Sequence, residues 1–143
     1  MSSPSFDQTP PQWARQLGYA GLIPFVALAA GVWIGHPDAA DALVDYVATI
    51  TSFLGAIHWG LTMRDDQPDA KALTWGVVPS LVAWLALMMD TDDALLLMAA
   101  LLVACWLVDR QAYLRWGVGG WLRLRTELTV VAVLCCAMSA LWY

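Results

Sequence analysis

Residues 42–63 read ALVDYVATITSFLGAIHWGLTM, a run interrupted by only one carboxylate, Asp45, and one imidazole, His58. A helix needs about 20 mainly apolar residues to cross a hydrocarbon core of about 30 Å, so this stretch is long enough to span a bilayer. On either side the pattern repeats. Leu17 to Ile34 and Ala72 to Met89 are free of charge. Ala94 to Val108 is a shorter apolar run that ends at Asp109-Arg110, and Leu128 to Tyr143 is the last. The two short runs have flanking residues that extend them, and long Arg side chains at such ends reach back to the headgroups. The expected fold is therefore all-α: an integral membrane bundle of five transmembrane helices. Residues 1–16 read as a flexible tail, and residues 17–143 as one domain with spans near 17–34, 42–63, 72–89, 93–113 and 122–142.

Composition leads to the same place. The chain is 60% hydrophobic and 13% charged, against about 45–50% and about 25% in soluble domains. A 15.6 kDa body has too little interior to hide that much apolar surface from water. A pI near 4.6 argues against a nucleic-acid partner, which needs a basic footprint. Cys105, Cys135 and Cys136 lie inside apolar runs. Neighbouring positions on a helix diverge by about 100°, so these three form neither a disulfide framework nor a zinc site.

The charges give a direction. All seven Lys and Arg residues (Arg15, Arg64, Lys71, Arg110, Arg115, Arg123 and Arg125) fall before the first span, between the second and third, or between the fourth and fifth. The other two connections, Gly35 to Asp41 and Asp90 to Asp93, hold acids and no base. Basic residues stay on the cytoplasmic side, which sets the N-terminus inside and the C-terminus outside. Pro4, Pro10, Pro11 and Asp7 are foreign to a cleavable leader, so the first span reads as a retained anchor. Trp13, Trp33, Trp75, Trp116, Trp121 and Trp142 fall at span ends, where amphipathic rings settle.

Ionisable side chains inside a bilayer are the candidates for function, because each is costly unless partnered. Thr51, Gly55, His58 and Thr62 share one stripe of the second span. Ser52, Ala56 and Gly60 form an adjoining ladder of small residues suited to helix contact. Counting depth at 1.5 Å per residue puts His58, Asp109 and Glu127 in one layer of the cytoplasmic leaflet, with Arg110 and Arg123 beside them. An intramembrane polar cluster of these five is expected. Arg115, Trp116, Trp121 and Arg125 are expected at the headgroups. Pro24 and Pro79 should kink their helices, and the motif Gly21-x-x-Pro24 echoes Gly76-x-x-Pro79, both glycines being expected in helix packing. No catalytic motif is present in the sequence, and no metal or other cofactor is expected.

Three stretches, LGYAGLIPF from Leu17, SFLGAIHWG from Ser52 and WGVVPSLVAW from Trp75, resemble the family of domain of unknown function 3429, and the resemblance runs from Leu17 to the end of the chain. That family includes bacterial inner-membrane proteins and a mitochondrial relative. The resemblance implies a five-helix membrane protein in an energy-coupling membrane and brings no reaction, substrate or catalytic residue with it. The expected role is non-enzymatic: an accessory, assembly or scaffold subunit whose partners are the lipid bilayer and other membrane subunits or further copies of itself. A small proton or ion channel or transporter using the His/Asp/Glu layer is the alternative. A quinone- or haem-binding redox subunit is a further one.

Overall fold

The computed structural model describes residues 9–143. Six helices follow one another: α1 (Gln12–Ala20), α2 (Leu22–Trp33), α3 (Ala39–Thr62), α4 (Ala70–Ala86), α5 (Thr91–Arg115) and α6 (Leu122–Trp142), with a 3-10 turn at Gly119–Trp121 before α6. Among the described residues there is no strand. The segments Gln12–Trp33, Ala39–Thr62, Thr91–Arg115 and Gly119–Trp142 are each long and apolar enough to cross a bilayer. Helix α4, with 17 residues, is about 26 Å long at 1.5 Å per residue and falls short of that length. Large apolar side chains cover the outside, among them Leu17, Ile23, Phe53, Leu81 and Leu134. Such an exterior suits lipid and not water.

Helix α3 is the hub. It packs against α2, α4 and α5, while α6 packs against α5 and α2. Leu43, Val47, Leu95, Met98 and Leu102 are fully enclosed at the centre, and Cys105 and Cys136 fill space among them as free thiols.

The helical structure begins at Gln12, ahead of the span expected from Leu17, so part of the expected tail is ordered helix. Residues 1–8 of that tail lie outside the described residues. Helices α1 and α2 form one span with a break at Gly21. Pro24 lacks the N–H that would reach the Ala20 carbonyl, and its ring crowds that turn. The kink expected at Pro24 therefore falls one turn earlier. Tyr46 of α3 fastens it, donating its hydroxyl to the Gly21 carbonyl at 2.8 Å, while its ring meets the edge of Phe25 at 5.1 Å between centroids. Helix α4, by contrast, continues through Pro79 to Ala86.

Helices α3 and α4 approach most closely at Gly55 and Gly76. A β-carbon built on Gly55 would stand 2.3 Å from the Gly76 carbonyl oxygen. One built on Gly76 would stand 2.3 Å from the Trp59 ring and 2.8 Å from the Gly55 oxygen. Trp59 closes the crossing by donating its indole N–H to the Leu73 carbonyl at 2.8 Å. The two G-x-x-P motifs thus do different work: Gly21 marks the break between α1 and α2, and Gly76 is a helix contact. Small residues at helix crossings are what membrane bundles use to bring backbones together.

Side-chain ties identify which helix ends lie together. The Thr91 hydroxyl donates to Asp41 at 2.6 Å, and Trp33 stacks on Trp142 at 5.4 Å. At the opposite end the Thr62 hydroxyl accepts the Asp69 backbone N–H at 2.7 Å. Helix α5 stops there in a Schellman motif: Gly117 takes a left-handed φ of +69°, and the Val118 and Gly117 amides donate to the Tyr113 and Leu114 carbonyls. All seven Lys and Arg residues belong to this second end. The acids Asp38, Asp41, Asp90, Asp92 and Asp93 belong to the first.

Candidate functional site: a buried charge clasp

Four side chains from three helices meet near the basic end of the bundle. His58 points inward from α3, because its stripe (Thr51, Leu54, Gly55, His58, Thr62) is the buried face of that helix. Asp109 lies six residues before the end of α5, about 9 Å in from that end, and only 1% of it is exposed. Arg125 and Thr129 lie one turn apart on α6, and both are buried.

Asp109 is held from both sides. His58 Nε2 donates to its Oδ1 at 2.7 Å, and Arg125 Nε donates to its Oδ2 at 2.9 Å. Arg125 Nη1 donates to the Thr129 hydroxyl, which in turn donates to the Arg125 backbone carbonyl at 2.8 Å. The His58 ring rests against Trp116, with centroids 5.8 Å apart in an edge-on arrangement. Each carboxylate oxygen is matched, and the formal charges of Asp109 and Arg125 cancel. A charge taken into an apolar interior needs this kind of pairing and hydrogen bonding. One donor is left over, the Nη2 of Arg125, buried and without a partner among the described residues.

The five residues expected to share one cluster separate into three groups. His58 and Asp109 meet. Glu127 lies on the outer side of α6, where Arg123 donates to it at 3.1 Å and the Tyr19 hydroxyl donates to its other oxygen. These residues, with Arg15 and Gly120, border a hollow of about 260 Å³ at the basic end. Arg110 is exposed and lies over the Trp106 ring at 5.1 Å, away from Asp109. Arg125, expected at the headgroups, instead provides the buried cation, with a side chain 9% exposed. Arg115 does remain exposed, over Trp116 at 5.8 Å. Trp116 is half-buried against His58 instead of lying free at the interface, and Trp121 is half-buried in the 3-10 turn.

Helical geometry explains the exchange. Arg123 and Glu127, four apart, share one face of α6, whereas Arg125 is about 200° round from Arg123 and shares its face with Thr129. Both faces of that first turn are polar, so the sequence pattern did not distinguish the inward one. Thr129 was missed for the same reason, although its four-residue spacing from Arg125 was the available clue.

Residues 10–141 match the family described as Protein of unknown function (DUF3429). The chain is also similar to Transmembrane protein 69 of Xenopus tropicalis, at 40% identity over 134 residues, which covers 86% of this chain and 51% of that protein. The chain thus spans about half the length of that curated relative. No solved structure matches it. The family match takes in the six helices up to the last residue of α6, together with His58, Asp109, Arg125 and Thr129, and the chain belongs to the DUF3429 family.

Proposed function

We propose that this membrane protein is a non-enzymatic accessory or assembly subunit that docks sideways onto a larger membrane complex through the outer face of α3. The observation that carries the reading is Asp45. It is exposed on the flank of α3, about 9 Å along the helix from Ala39, and takes part in no ion pair among the described residues. A carboxylate turned toward lipid is costly, and a donor from a neighbouring subunit removes that cost.

Below Asp45 the same face continues with Thr49, Ser52, Ala56 and Gly60, of which all but the half-buried Ser52 are exposed. Beside Gly60 there is open space, since a β-carbon there meets nothing within 4 Å. A helix face that is small along its length and acidic at one end suits a partner helix carrying a basic or hydrogen-bonding residue at the matching depth. A second copy in parallel register would set Asp45 against Asp45, which favours a different protein. In the proposed topology all five helical segments span the inner membrane of a bacterium or mitochondrion. The basic end faces the cytoplasm or matrix and the C-terminus lies outside, following the charge separation of the two ends.

In mild detergent the chain should migrate on native gels with a larger complex. Gly60→Leu and Asp45→Ala should each release it while leaving its thermal unfolding unchanged. Migration of the wild-type chain always on its own would remove the proposal.

A proton or ion path is the second reading, and what favours it is the buried imidazole–carboxylate bond at 2.7 Å. Under the accessory reading, proteoliposomes containing the chain pass protons at the background rate. A flux that His58→Ala abolishes in a folded protein would establish the path instead.

A further inference from the structure

Helices α1 and α6 both begin at the basic end and pack side by side. A β-carbon on Gly18 would stand 3.2 Å from Leu128 and 3.7 Å from Leu124, so the two helices touch there. Beside that contact each helix presents a pair of residues four apart: Arg15 and Tyr19 on α1, Arg123 and Glu127 on α6. These four side chains border the hollow of about 260 Å³, with the buried Leu124 in its wall. Its size is below the roughly 300–1,000 Å³ of sites for drug-sized ligands and suits a small polar group.

The hollow offers both signs of charge, and neither is used up. Arg15 makes no ion pair among the described residues. Arg123 engages Glu127 through Nε alone, at 3.1 Å, and a guanidinium has four further N–H groups to give. Glu127 is fixed in place, one oxygen accepting from Arg123 and the other from the Tyr19 hydroxyl. A carboxylate has about four acceptor sites, so it can take further donors, and 41% of this side chain is exposed.

We infer that the hollow seats the headgroup of a phospholipid bearing a primary amine, of the phosphatidylethanolamine class. Arg15 and the remaining N–H groups of Arg123 hold the phosphodiester, since guanidinium forks match phosphate oxygens. Glu127 accepts from the ammonium. The four charges then alternate in sign: guanidinium, phosphate, ammonium, carboxylate. Position supports this occupant over an ion from water. Gln12–Trp33 and Gly119–Trp142 are both long and apolar enough to cross a bilayer. Arg15 and Arg123 stand near the start of each, at the level of the headgroups. Glu127 sets the choice of headgroup. A choline has no N–H to donate to it, and a glycerol headgroup brings a phosphate with no cation to set against the carboxylate.

Native mass spectrometry of the full chain, titrated in detergent with phosphatidylethanolamine, phosphatidylcholine or phosphatidylglycerol of identical acyl chains, reads the preference directly. The ethanolamine lipid should be retained about fivefold more tightly than either of the others, the upper end for one partly exposed ion pair. Arg15→Gln should weaken retention of all three lipids without moving the unfolding midpoint, because Arg15 is exposed. Glu127→Gln should act in opposite directions, lowering retention of the ethanolamine lipid and raising that of phosphatidylglycerol. A general loss of packing would lower both. Equal retention of the three lipids by the wild type overturns the inference, as does indifference to Arg15→Gln. A Glu127→Gln effect of the same sign on both lipids overturns it too. Displacement of the lipid by equimolar inorganic phosphate would also overturn it, making the hollow an anion site supplied from water.

Discussion

Asp109→Ala should be the most damaging single substitution in the chain. It removes the acceptor of both His58 and Arg125 and leaves a guanidinium buried with no counterion. Breaking a buried ion pair from one side costs about 3–5 kcal/mol, far more than the net worth of the intact pair. The expected result is a strongly lowered unfolding midpoint in detergent, or failure to accumulate at all. Asp109→Asn keeps an acceptor and loses the charge, and should fall between the two. The decisive measurement is a double-mutant cycle. Asp109→Leu combined with Arg125→Met should recover much of the loss, because removing a whole buried ionic network costs less than orphaning half of it. Additive effects would show that the two residues do not share an interaction.

The second large effect is expected at the α3–α4 crossing. In Gly55→Ala the new methyl meets the Gly76 carbonyl oxygen at 2.3 Å, a backbone atom that yields only if the helices separate. Overpacking of this kind typically costs about 1–3 kcal/mol, and parting the helices also strains the hydrogen bond from Trp59 to Leu73. Gly76→Ala runs first into the Trp59 ring, which has more freedom to move, and should cost less than Gly55→Ala. Gly60→Ala on the same helix adds a methyl to open space and should stay within about 0.5 kcal/mol of the wild type. Thermal unfolding of the three variants side by side checks the order; similar values for Gly55→Ala and Gly60→Ala would contradict the tight crossing.

The helical bundle was legible in the sequence because long apolar runs record the requirement that backbone groups in lipid be satisfied within the helix. The pairing of His58 with Asp109 was legible for a related reason. His58 stands inside an apolar run and Asp109 closes one, and depth counting places both at one level. The partner from α6 was not. Arg123, Arg125, Thr126, Glu127 and Thr129 crowd two turns of that helix, and which side turns inward is decided by how α6 sits against α5 and α2. The close contact of Gly55 with Gly76 was hidden similarly. Ser52, Ala56 and Gly60 make the better-looking ladder, yet that ladder faces outward while the stripe holding Gly55 and His58 meets its neighbours. The beginning of α1 was missed because Gln12 to Gln16 is polar, and polarity outside an apolar run was read as tail.

The clasp also bears on how the chain enters the membrane. Asp109 and Arg125 stand on adjacent helices joined by one short turn, and they neutralise each other without help from any earlier part of the chain. Singly, α5 would carry a bare carboxylate into lipid and α6 a bare guanidinium, each at a cost of roughly 2.5–3.5 kcal/mol or more. As a helical hairpin they partition with their charges already cancelled, and the Schellman turn at Gly117 sets the hairpin geometry that makes the pairing possible. On that arithmetic α5 and α6 would enter lipid at lower cost as a pair than singly. His58 adds the contact that ties this pair of helices to α3, with its Nε2 on Asp109 Oδ1 at 2.7 Å.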